Sequence, residues 1–344
     1  MHTVLNTLYV MSPNAYAHLE NSTVRIDVDR EKRLCVPLHH LDGLICFGNV
    51  LVSPGLMHRL ADEGKSMVLL DHRGRFKARL EGPVSGNVLL RRAQHKAADD
   101  PGMTLAIARA IIAGKLRNSR TLLLRGARES ADPAEADTLR KATDMLAAAL
   151  RSASVAEDLD HLRGIEGEAA RGYFAAINLI VKPQARDHFQ LDGRSRRPPL
   201  DRFNALLSFL YSMLMNDCRS AVESVGLDPQ IGFLHALRPG RAALALDLQE
   251  EFRSINADRL ALTLINRGQI TAGDFDEREG GAVLLNESGR KVVVTAWQER
   301  KQDAIHHPLL DSKIPQALLG CIQARIMART LRGEMESYLP FLAK

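Results

Sequence analysis

Gly82-Pro83-Val84-Ser85-Gly86 divides the sequence into two parts that differ in the spacing of their apolar residues. Before this segment, apolar and polar residues alternate in short runs, which is typical of strands. After it, apolar residues recur three and four positions apart, which is typical of helices. The change predicts an α+β fold. A small β-rich N-terminal domain, residues 1–85, precedes a larger, mainly α-helical domain, residues 86–344, and the Gly- and Pro-containing segment links them.

Six short runs rich in apolar and β-branched residues predict the strands of the N-terminal part. They are Thr7–Met11, Thr23–Val28, Arg33–Val36, Leu41–Phe47, Ser66–Leu70 and Arg75–Leu80. Turn-forming residues separate them at Glu20-Asn21-Ser22, Asp29-Arg30-Glu31 and His72-Arg73-Gly74. One helix, Pro54–Glu63, interrupts the strands. Ser53 is its predicted N-cap and Pro54 its first residue, which suits the missing N–H of proline.

Helical periodicity dominates the rest of the chain. The predicted helices are Val88–Ala98, Pro101–Arg128, Pro133–Ser154, Val155–Val181, Asp201–Val225, Asp247–Arg267 and Lys313–Glu336. Two segments interrupt them. Lys182–Leu200 is rich in Pro, Gly, Asp and Arg and predicts a loop. Within Gly273–Ala296 we predict a hairpin whose strands, Ala282–Leu285 and Lys291–Thr295, are joined through residues 286–289.

The composition describes an ordinary globular protein of 344 residues, with 45% hydrophobic and 25% charged residues. No apolar run approaches the ~20 residues that span a bilayer, and Met1–Val10 lacks the pattern of a secretory signal. We therefore expect a cytoplasmic protein without a membrane anchor. The four cysteines show no metal-binding spacing and are expected to be reduced core residues. The net charge of +5 permits an anionic partner without requiring one.

Glu166 is an unusual residue in its surroundings. It lies in the stretch Gly164–Phe174, inside a predicted packing helix, with alanines three and four positions further on the same helical face. A buried carboxylate needs a cation, a proton or another partner, and the small flanking residues leave room for one. Glu168 points to the opposite side of the helix and cannot pair with Glu166. Taken alone, the pattern also fits an exposed carboxylate on an Ala-rich helix.

Two later segments offer partners for Glu166. His235 follows an apolar stretch and precedes the turn at Pro239-Gly240, which places its imidazole at the end of an element. Asp247 and Glu250 are three residues apart and share a helical face, although both also suit a solvated helix start. Carboxylates with one imidazole suit Mg²⁺ or Mn²⁺, which would stabilise charge in a displacement at phosphorus.

Arginines near these candidate ligands could hold phosphates by charge and by bidentate hydrogen bonds. Three lie in the predicted loop before residue 200 and three follow the histidine segment: Arg194, Arg196, Arg197, Arg238, Arg241 and Arg253. The loop also fits an ordinary solvated surface. No aromatic residues are interleaved with the arginines, so the pattern does not predict stacking on single-stranded bases.

At these residues the chain resembles the CRISPR-associated protein one family, the metal-dependent DNA endonucleases and integrases of CRISPR adaptation. The resemblance covers nearly the whole chain. The residues within its motifs are most similar to those of the type I-C branch. Three spaced motifs carry it, and the N-terminal strings are similar to the family's β domain. The strings are Gly164–Gly167 with Ala169-Ala170 and Tyr173-Phe174, Gly232–His235, Asp247–Arg253, Thr7–Val10 and Leu41–Leu44.

The resemblance implies a homodimer joined through the β-rich domains, which binds double-stranded DNA together with the small second CRISPR-associated protein. A 3′-hydroxyl of a short duplex would attack a phosphodiester of the CRISPR repeat. The implied metal ligands are Glu166, His235 and Glu250. Some family members have aspartate where Glu250 stands, so Asp247 remains an alternative ligand or a residue that holds a ligand in place, and Glu250 ranks first.

Two other functions remain open from the sequence. One is a general metal-dependent phosphodiesterase that cleaves RNA or branched DNA without joining strands. The other is a structural DNA-binding subunit, in which Arg194, Arg196 and Arg197 bind phosphate and the carboxylates are surface residues. Joined products and a metal response that depends on Glu166 would distinguish the integrase from both.

Overall fold

The computed structural model describes residues 7–71, 76–80, 82 and 88–343. The chain divides into two compact units. The first comprises residues 1–85, 285–303 and 315–318, and the second comprises residues 86–284, 304–314 and 319–344. The change of unit after residue 85 falls at the predicted boundary, whereas two later segments also belong to the first unit. Residues 83–86 of the predicted linker and the turn at residues 72–74 lie outside the described residues, and the assignment of two domains stays a prediction.

In its described residues up to Leu80, the first unit has eight strands and one α-helix. They are β1 (Thr7–Val10), β2 (Tyr16–Glu20), β3 (Thr23–Val28), β4 (Glu31–Pro37), β5 (Gly43–Phe47), β6 (Leu51–Val52), α1 (Pro54–Asp62), β7 (Ser66–Leu70) and β8 (Phe76–Leu80). One sheet has the order β1-β5-β7-β8, and β1, β5 and β7 in it are parallel. The other has the order β4-β3-β2-β6. The predicted β-rich N-terminal region is confirmed, although β2 and β6 had no predicted counterpart.

Local sequence explains how these elements end and pack. Ser53 caps α1 as predicted, since its hydroxyl accepts a hydrogen bond from the Leu56 amide at 3.2 Å. Leu56 and Leu60 are then fully buried in the core of this unit. The tight turn between β3 and β4 is made by Asp29 and Arg30, whose positive φ angles of 52° and 67° match the twist of a hairpin.

The second unit is built mainly of helices. They are α2 (Val88–Asp99), α3 (Pro101–Glu129), α4 (Pro133–Ser154), α5 (Leu159–Ile177), α6 (Pro183–Arg186), α7 (Arg202–Ser224), α8 (Ala243–Glu250) and α9 (Arg259–Asn266). A π-helical segment, Arg253–Asp258, joins α8 to α9. Helix α3 runs through this unit and packs against α4, α5, α8 and the π-helical segment. It therefore lies against both helices that carry candidate carboxylates, α5 with Glu166 and α8 with Glu250.

Side-chain caps set the starts of the long helices. Asp132 accepts a hydrogen bond from the Ala134 amide at 2.8 Å, and α4 begins at Pro133 as predicted. Asp158 accepts one from the His161 amide at 2.7 Å, so α5 begins at Leu159 and not at the predicted Val155. The helix that contains Asp247 begins four residues earlier than predicted, and the π-helical segment interrupts it.

The predicted hairpin within Gly273–Ala296 is wrong in its second strand. The observed pair is β9 (Phe275–Glu277) with β10 (Val283–Leu285), and α10 (Glu287–Gln302) follows directly. Asn286 accepts a hydrogen bond from the Gly289 amide at 3.0 Å and thereby caps a helix where a turn was predicted. Val293 and Val294 of the β-branched run in α10 are buried together with Trp297, so packing overrides their strand propensity.

The chain ends with β11 (Ala304–His307), β12 (Ser312–Pro315) and α11 (Leu319–Leu331). The predicted helix Lys313–Glu336 is therefore wrong at its start, where a strand pairs with β11. No helix in the described ranges has both the length and the apolar character needed to cross a membrane. Of the cysteines, Cys46 and Cys218 are buried as predicted, while Cys35 and Cys321 are only partly buried.

Candidate active site

Glu166 lies on α5 with 26% of its side chain exposed, and it faces a cation from another helix. Its Oε1 atom contacts the ammonium of Lys115 on α3. Glu168 is exposed, as its position on the helix predicts. A Cβ atom added at Gly164 or Gly167 would meet nothing within 4 Å, although Gly164, two residues before Glu166, points to the other side of the helix. The carboxylate is therefore paired and still accessible from one side.

Lys115 connects two of the three predicted ligands. Its Nζ atom lies 2.7 Å from Glu250 Oε2 as well as against Glu166, and only 14% of its side chain is exposed. The sequence reasoning missed this residue because it belongs to the long helical pattern of α3. The sequence does show Lys115 as a charged residue between the apolar residues Ile111-Ile112 and Leu116. Glu166 was singled out for the same reason, as a charge within a predicted packing helix.

Glu250 is the most buried of the predicted ligands, with 4% of its side chain exposed at the end of α8. Its Oε1 atom lies 3.0 Å from Arg253 Nη1 and 3.8 Å from His235 Nε2. Burial alone would raise the pKa of Glu250, but the charges of Arg253, Lys115 and His235 lower it to about 2. The carboxylate is thus ionised at neutral pH and surrounded by cations.

His235 is held in one orientation by Asp247. Its Nδ1 atom lies 2.7 Å from Asp247 Oδ1, which leaves Nε2 on the side of Glu250. Because the carboxylate accepts a hydrogen bond at Nδ1, the unprotonated nitrogen is Nε2 in the neutral ring. The imidazole can therefore present a lone pair towards Glu250.

Asp247 is fully buried and its oxygens are occupied. Oδ2 accepts hydrogen bonds from the amides of Phe233 at 2.6 Å and Leu234 at 3.0 Å. Oδ1 accepts the amide of His235 at 3.0 Å in addition to the imidazole. These contacts favour Asp247 as the residue that shapes the histidine segment, and they leave Glu250 as the accessible carboxylate of the pair.

Further contacts fix the segment around His235. Arg163, one helical turn before Glu166, donates hydrogen bonds from Nε and Nη2 to the Leu234 carbonyl at 3.1 and 2.7 Å. Gln94 on α2 donates to the carbonyls of Asp228 and Ile231, each at 2.8 Å. Helices α2 and α5 therefore both hold the backbone that carries the imidazole.

Gly232 lets this segment approach α8 closely. A Cβ atom there would lie 2.7 Å from the backbone carbon of Ala243 and 2.7 Å from Asp247 Oδ2. We expect Gly232→Ala to destabilise the protein by about 1–3 kcal/mol, because backbone atoms cannot yield as a flexible side chain can. Gly164→Ala is the matched control and should stabilise α5 by about 0.5–1 kcal/mol. Urea unfolding of both variants measures this, and an equal effect would contradict the close packing.

The six predicted phosphate-binding arginines differ in their surroundings. Arg196, Arg197 and Arg238 are exposed, and Arg241 is partly exposed. Arg194 donates hydrogen bonds to Asn204 Oδ1 and the Ser195 carbonyl, each at 2.6 Å. The guanidinium groups of Arg194 and Arg253 lie 5.2 and 4.8 Å from the centre of the Tyr211 ring. These two arginines are therefore engaged within the unit, and their predicted contact with phosphate remains untested.

The π-helical segment places Asp258 among two tyrosines from other helices. Tyr173 on α5 donates a hydrogen bond to Asp258 Oδ2 at 2.7 Å, and Tyr211 on α7 donates one to Oδ1 at 2.6 Å. Burial raises the pKa of both tyrosines, so their hydroxyls stay protonated as donors. Since Tyr173 lies two turns after Glu166 on α5, this contact supports the helix that carries the carboxylate.

Glu251, next to Glu250, binds the C-terminal segment at residues 338–343. It accepts hydrogen bonds from Tyr338 Oη at 2.5 Å, the Phe341 amide at 2.7 Å and Gln323 Nε2 at 3.1 Å. Burial raises the pKa of Glu251 to about 8 although these donors act in the opposite direction. The two neighbouring carboxyl groups therefore differ in role: Glu250 faces the site and Glu251 the core.

Tyr338→Phe should destabilise the protein by about 1–3 kcal/mol, because a buried carboxyl group loses a donor while the ring stays in place. Tyr16→Phe is the control, since Tyr16 is largely exposed on β2. Urea unfolding followed by circular dichroism compares the two. A loss no larger for Tyr338→Phe than for the control would show that the C-terminal segment is not anchored through this hydroxyl.

The residues present fit a divalent cation. Within residues 7–71, 76–80, 82 and 88–343, no three His, Cys, Asp or Glu side chains are already arranged around a common metal position. The Lys115 ammonium lies between Glu166 and Glu250 instead. Glu250 Oε2 is buried and lacks a well-directed hydrogen bond. Two carboxylates and one imidazole nitrogen form a donor set that suits Mg²⁺ or Mn²⁺.

Comparisons with known proteins show which family and which fold the chain is similar to. A family model described as "CRISPR associated protein Cas1" matches residues 8–299. CRISPR-associated endonuclease Cas1 1 of Moorella thermoacetica is 54% identical over 342 residues, 99% of each chain. A casposase bound to an integration product matches with a TM-score of 0.82 and 22% identity over 97% of this chain and 92% of its own. A Cas6-RT-Cas1–Cas2 complex matches with a TM-score of 0.82 and 23% identity over 99% of this chain and 36% of that chain. The two solved structures are similar to this chain in fold. The family model and the bacterial relative are similar to it in sequence.

Proposed function

This chain belongs to the Cas1 family of CRISPR-associated proteins, and we propose that it is a metal-dependent DNA endonuclease and integrase of CRISPR adaptation. The relative from Moorella thermoacetica, similar over 99% of both chains, is named an endonuclease. The casposase that shares the fold was captured with an integration product. Within the molecule, the observation that carries the proposal is that Lys115 joins Glu166 to Glu250, while His235 Nε2 lies 3.8 Å from the other oxygen of Glu250.

Glu166, Glu250 and His235 Nε2 are the proposed ligands of Mg²⁺ or Mn²⁺. The bound ion would polarise the phosphodiester and stabilise the developing negative charge. Asp247 holds the imidazole with Nε2 directed at Glu250. Although burial would raise its pKa, the charges of Arg253 and Lys115 keep Glu250 ionised at neutral pH.

The proposed reaction is a transesterification. The 3′-hydroxyl oxygen of a short duplex attacks phosphorus in the repeat, a new P–O bond forms, and the bond to the former 3′ oxygen breaks. That oxygen leaves as a 3′-hydroxyl, so the number of phosphodiester bonds is unchanged. The exposed arginines Arg196, Arg197 and Arg238 would bind backbone phosphates and position the duplex without reading its bases. With water as the nucleophile the same site would hydrolyse the strand.

The partners are double-stranded DNA, a second copy of this chain and the small second CRISPR-associated protein. Support for the last is the Cas6-RT-Cas1–Cas2 complex, which contains a chain of the same fold. Dimerisation through the β-rich domains is proposed from the family resemblance, and a cytoplasmic location from the free cysteines. We propose that the chain belongs to the type I-C branch, because the residues of its motifs are similar to those of that branch. Size-exclusion chromatography with light scattering, alone and with the second protein, tests the assembly.

A strand-transfer assay tests the function. A labelled duplex of the size of a spacer, a supercoiled plasmid carrying the repeat and Mn²⁺ or Mg²⁺ should give labelled plasmid, and EDTA should prevent it. Cleaved plasmid without joined strands would support a hydrolytic phosphodiesterase. DNA binding that is unaffected by metal, with no cleavage, would support a structural DNA-binding subunit. Either outcome would contradict the proposed integrase.

A further inference from the structure

Lys115 occupies the position between carboxylates that come from separate helices. Its ammonium touches Glu166 of α5 and lies 2.7 Å from Glu250 Oε2 of α8. Glu250 already has a second cation, Arg253, at 3.0 Å on its other oxygen. The Arg253 guanidinium also lies 4.8 Å from the centre of the Tyr211 ring. Lys115 is thus the cation that joins Glu166 to Glu250.

This placement conflicts with a divalent ion on the same oxygens. Two cations a few ångströms apart repel each other strongly where water is largely excluded. Only 14% of the Lys115 side chain and 4% of the Glu250 side chain are exposed, so solvent screens this pair weakly. An ammonium on a flexible four-carbon stem can move away, whereas Glu250 is still held by Arg253 at 3.0 Å. Metal binding therefore requires Lys115 to leave the carboxylates.

We propose that Lys115 is an internal competitor of the divalent ion: its ammonium holds Glu166 and Glu250 together in the metal-free protein and is displaced when the ion binds. The inference rests on the proposed function, since it takes Glu166 and Glu250 as metal ligands. It assigns Lys115 a positioning role. Lys115 keeps the carboxylates of Glu166 and Glu250 close together before the ion binds. It also weakens metal affinity, because its two ion pairs must break when the ion binds.

The test is Mn²⁺ affinity, measured by the electron paramagnetic resonance signal of free Mn²⁺ at fixed pH and without DNA. Lys115→Met keeps the length of the side chain and removes its charge. We expect it to bind Mn²⁺ about tenfold more tightly than the unaltered protein. Lys115→Arg keeps the charge and should bind like the unaltered protein. Lys141→Met is the matched control, because Lys141 pairs with Asp137 on the surface of α4 at 2.8 Å.

A second measurement covers the possibility that Lys115→Met folds less well. In EDTA this variant should have a lower melting temperature than the unaltered protein, since Glu166 and Glu250 lose their shared cation. Added Mn²⁺ should raise its melting temperature by more than it raises that of the unaltered protein. A purely structural lysine would give the first effect without the second.

The outcomes separate the inference from the proposed function. Equal or weaker Mn²⁺ binding by Lys115→Met, with Mn²⁺ binding and DNA cleavage intact in the unaltered protein, overturns the inference alone. No Mn²⁺ binding by either protein overturns both the metal-dependent function and the inference. Tighter binding that is absent in Lys115→Arg and Lys141→Met supports the competition.

Discussion

Replacing Glu166 or His235 with alanine should reduce Mn²⁺-dependent DNA cleavage and strand transfer by roughly a thousandfold, since a catalytic metal contributes several kcal/mol of transition-state stabilisation. Glu166 contacts the same ammonium as Glu250, and His235 Nε2 lies 3.8 Å from Glu250 Oε1. Each substitution removes one donor from this group. Initial rates of plasmid cleavage and of joined product, at saturating Mn²⁺, measure the loss.

Glu168→Ala is the matched control for this prediction. Glu168 lies on the same helix two residues from Glu166, and it is exposed. We expect its loss to leave both rates within about twofold, as for most surface substitutions. Glu166→Ala should also keep a folded structure, because Lys115 retains Glu250 as a partner. Full activity of either the Glu166→Ala or the His235→Ala variant would remove that residue from the site.

Asp247→Ala should cause the largest loss of stability, about 3–5 kcal/mol, because it removes the acceptor of three backbone amides and leaves buried donors without a partner. The amides of Phe233, Leu234 and His235 all converge on this carboxylate. Urea unfolding gives the change in free energy. Asp137→Ala, at an exposed position of α4, is the control and should change stability by less than about 0.5 kcal/mol.

Asp247→Asn separates the folding role from the alignment of His235. The amide keeps the size of the side chain, but its NH₂ group cannot accept two of the hydrogen bonds that the carboxylate accepts. A partner that orients a metal-bound histidine typically contributes 10–100-fold to metal affinity or activity, so we expect a loss of that size. Wild-type activity and Mn²⁺ affinity in a folded Asp247→Asn protein would contradict the orienting role.

The sequence predicts elements well where a cap or turn marks their ends. Strands β3 and β7 and helix α4 begin and end at the predicted residues, and Asp132 with Pro133 marks the start of α4. The same chemistry explains two errors. Asp158 caps α5 later than its apolar pattern indicated, and Asn286 caps a helix in a segment whose β-branched residues favoured a strand. Local capping outweighed periodicity in both places.

The site was predictable in part. Glu166 lies far in sequence from His235 and Glu250. Helical spacing does show which face of its helix Glu166 occupies. The spacing of residues within one helix does not show which residues of another helix lie close to it. For this reason Lys115 on α3 was not predicted as part of the site. The roles of Asp247 and Glu250 could not be separated from spacing either, because two carboxylates three residues apart on one helical face look equivalent. In the structure, the backbone amides and the His235 imidazole that converge on Asp247 distinguish it from Glu250.

The most direct test of the account is a crystal structure of the protein soaked with Mn²⁺, with the ion located by its anomalous scattering. We expect one Mn²⁺ bound by oxygens of Glu166 and Glu250 and by His235 Nε2, with the Lys115 ammonium moved away and Asp247 still bound to His235 Nδ1. Mn²⁺ bound elsewhere, or Lys115 still joining Glu166 to Glu250 at saturating Mn²⁺, would contradict it.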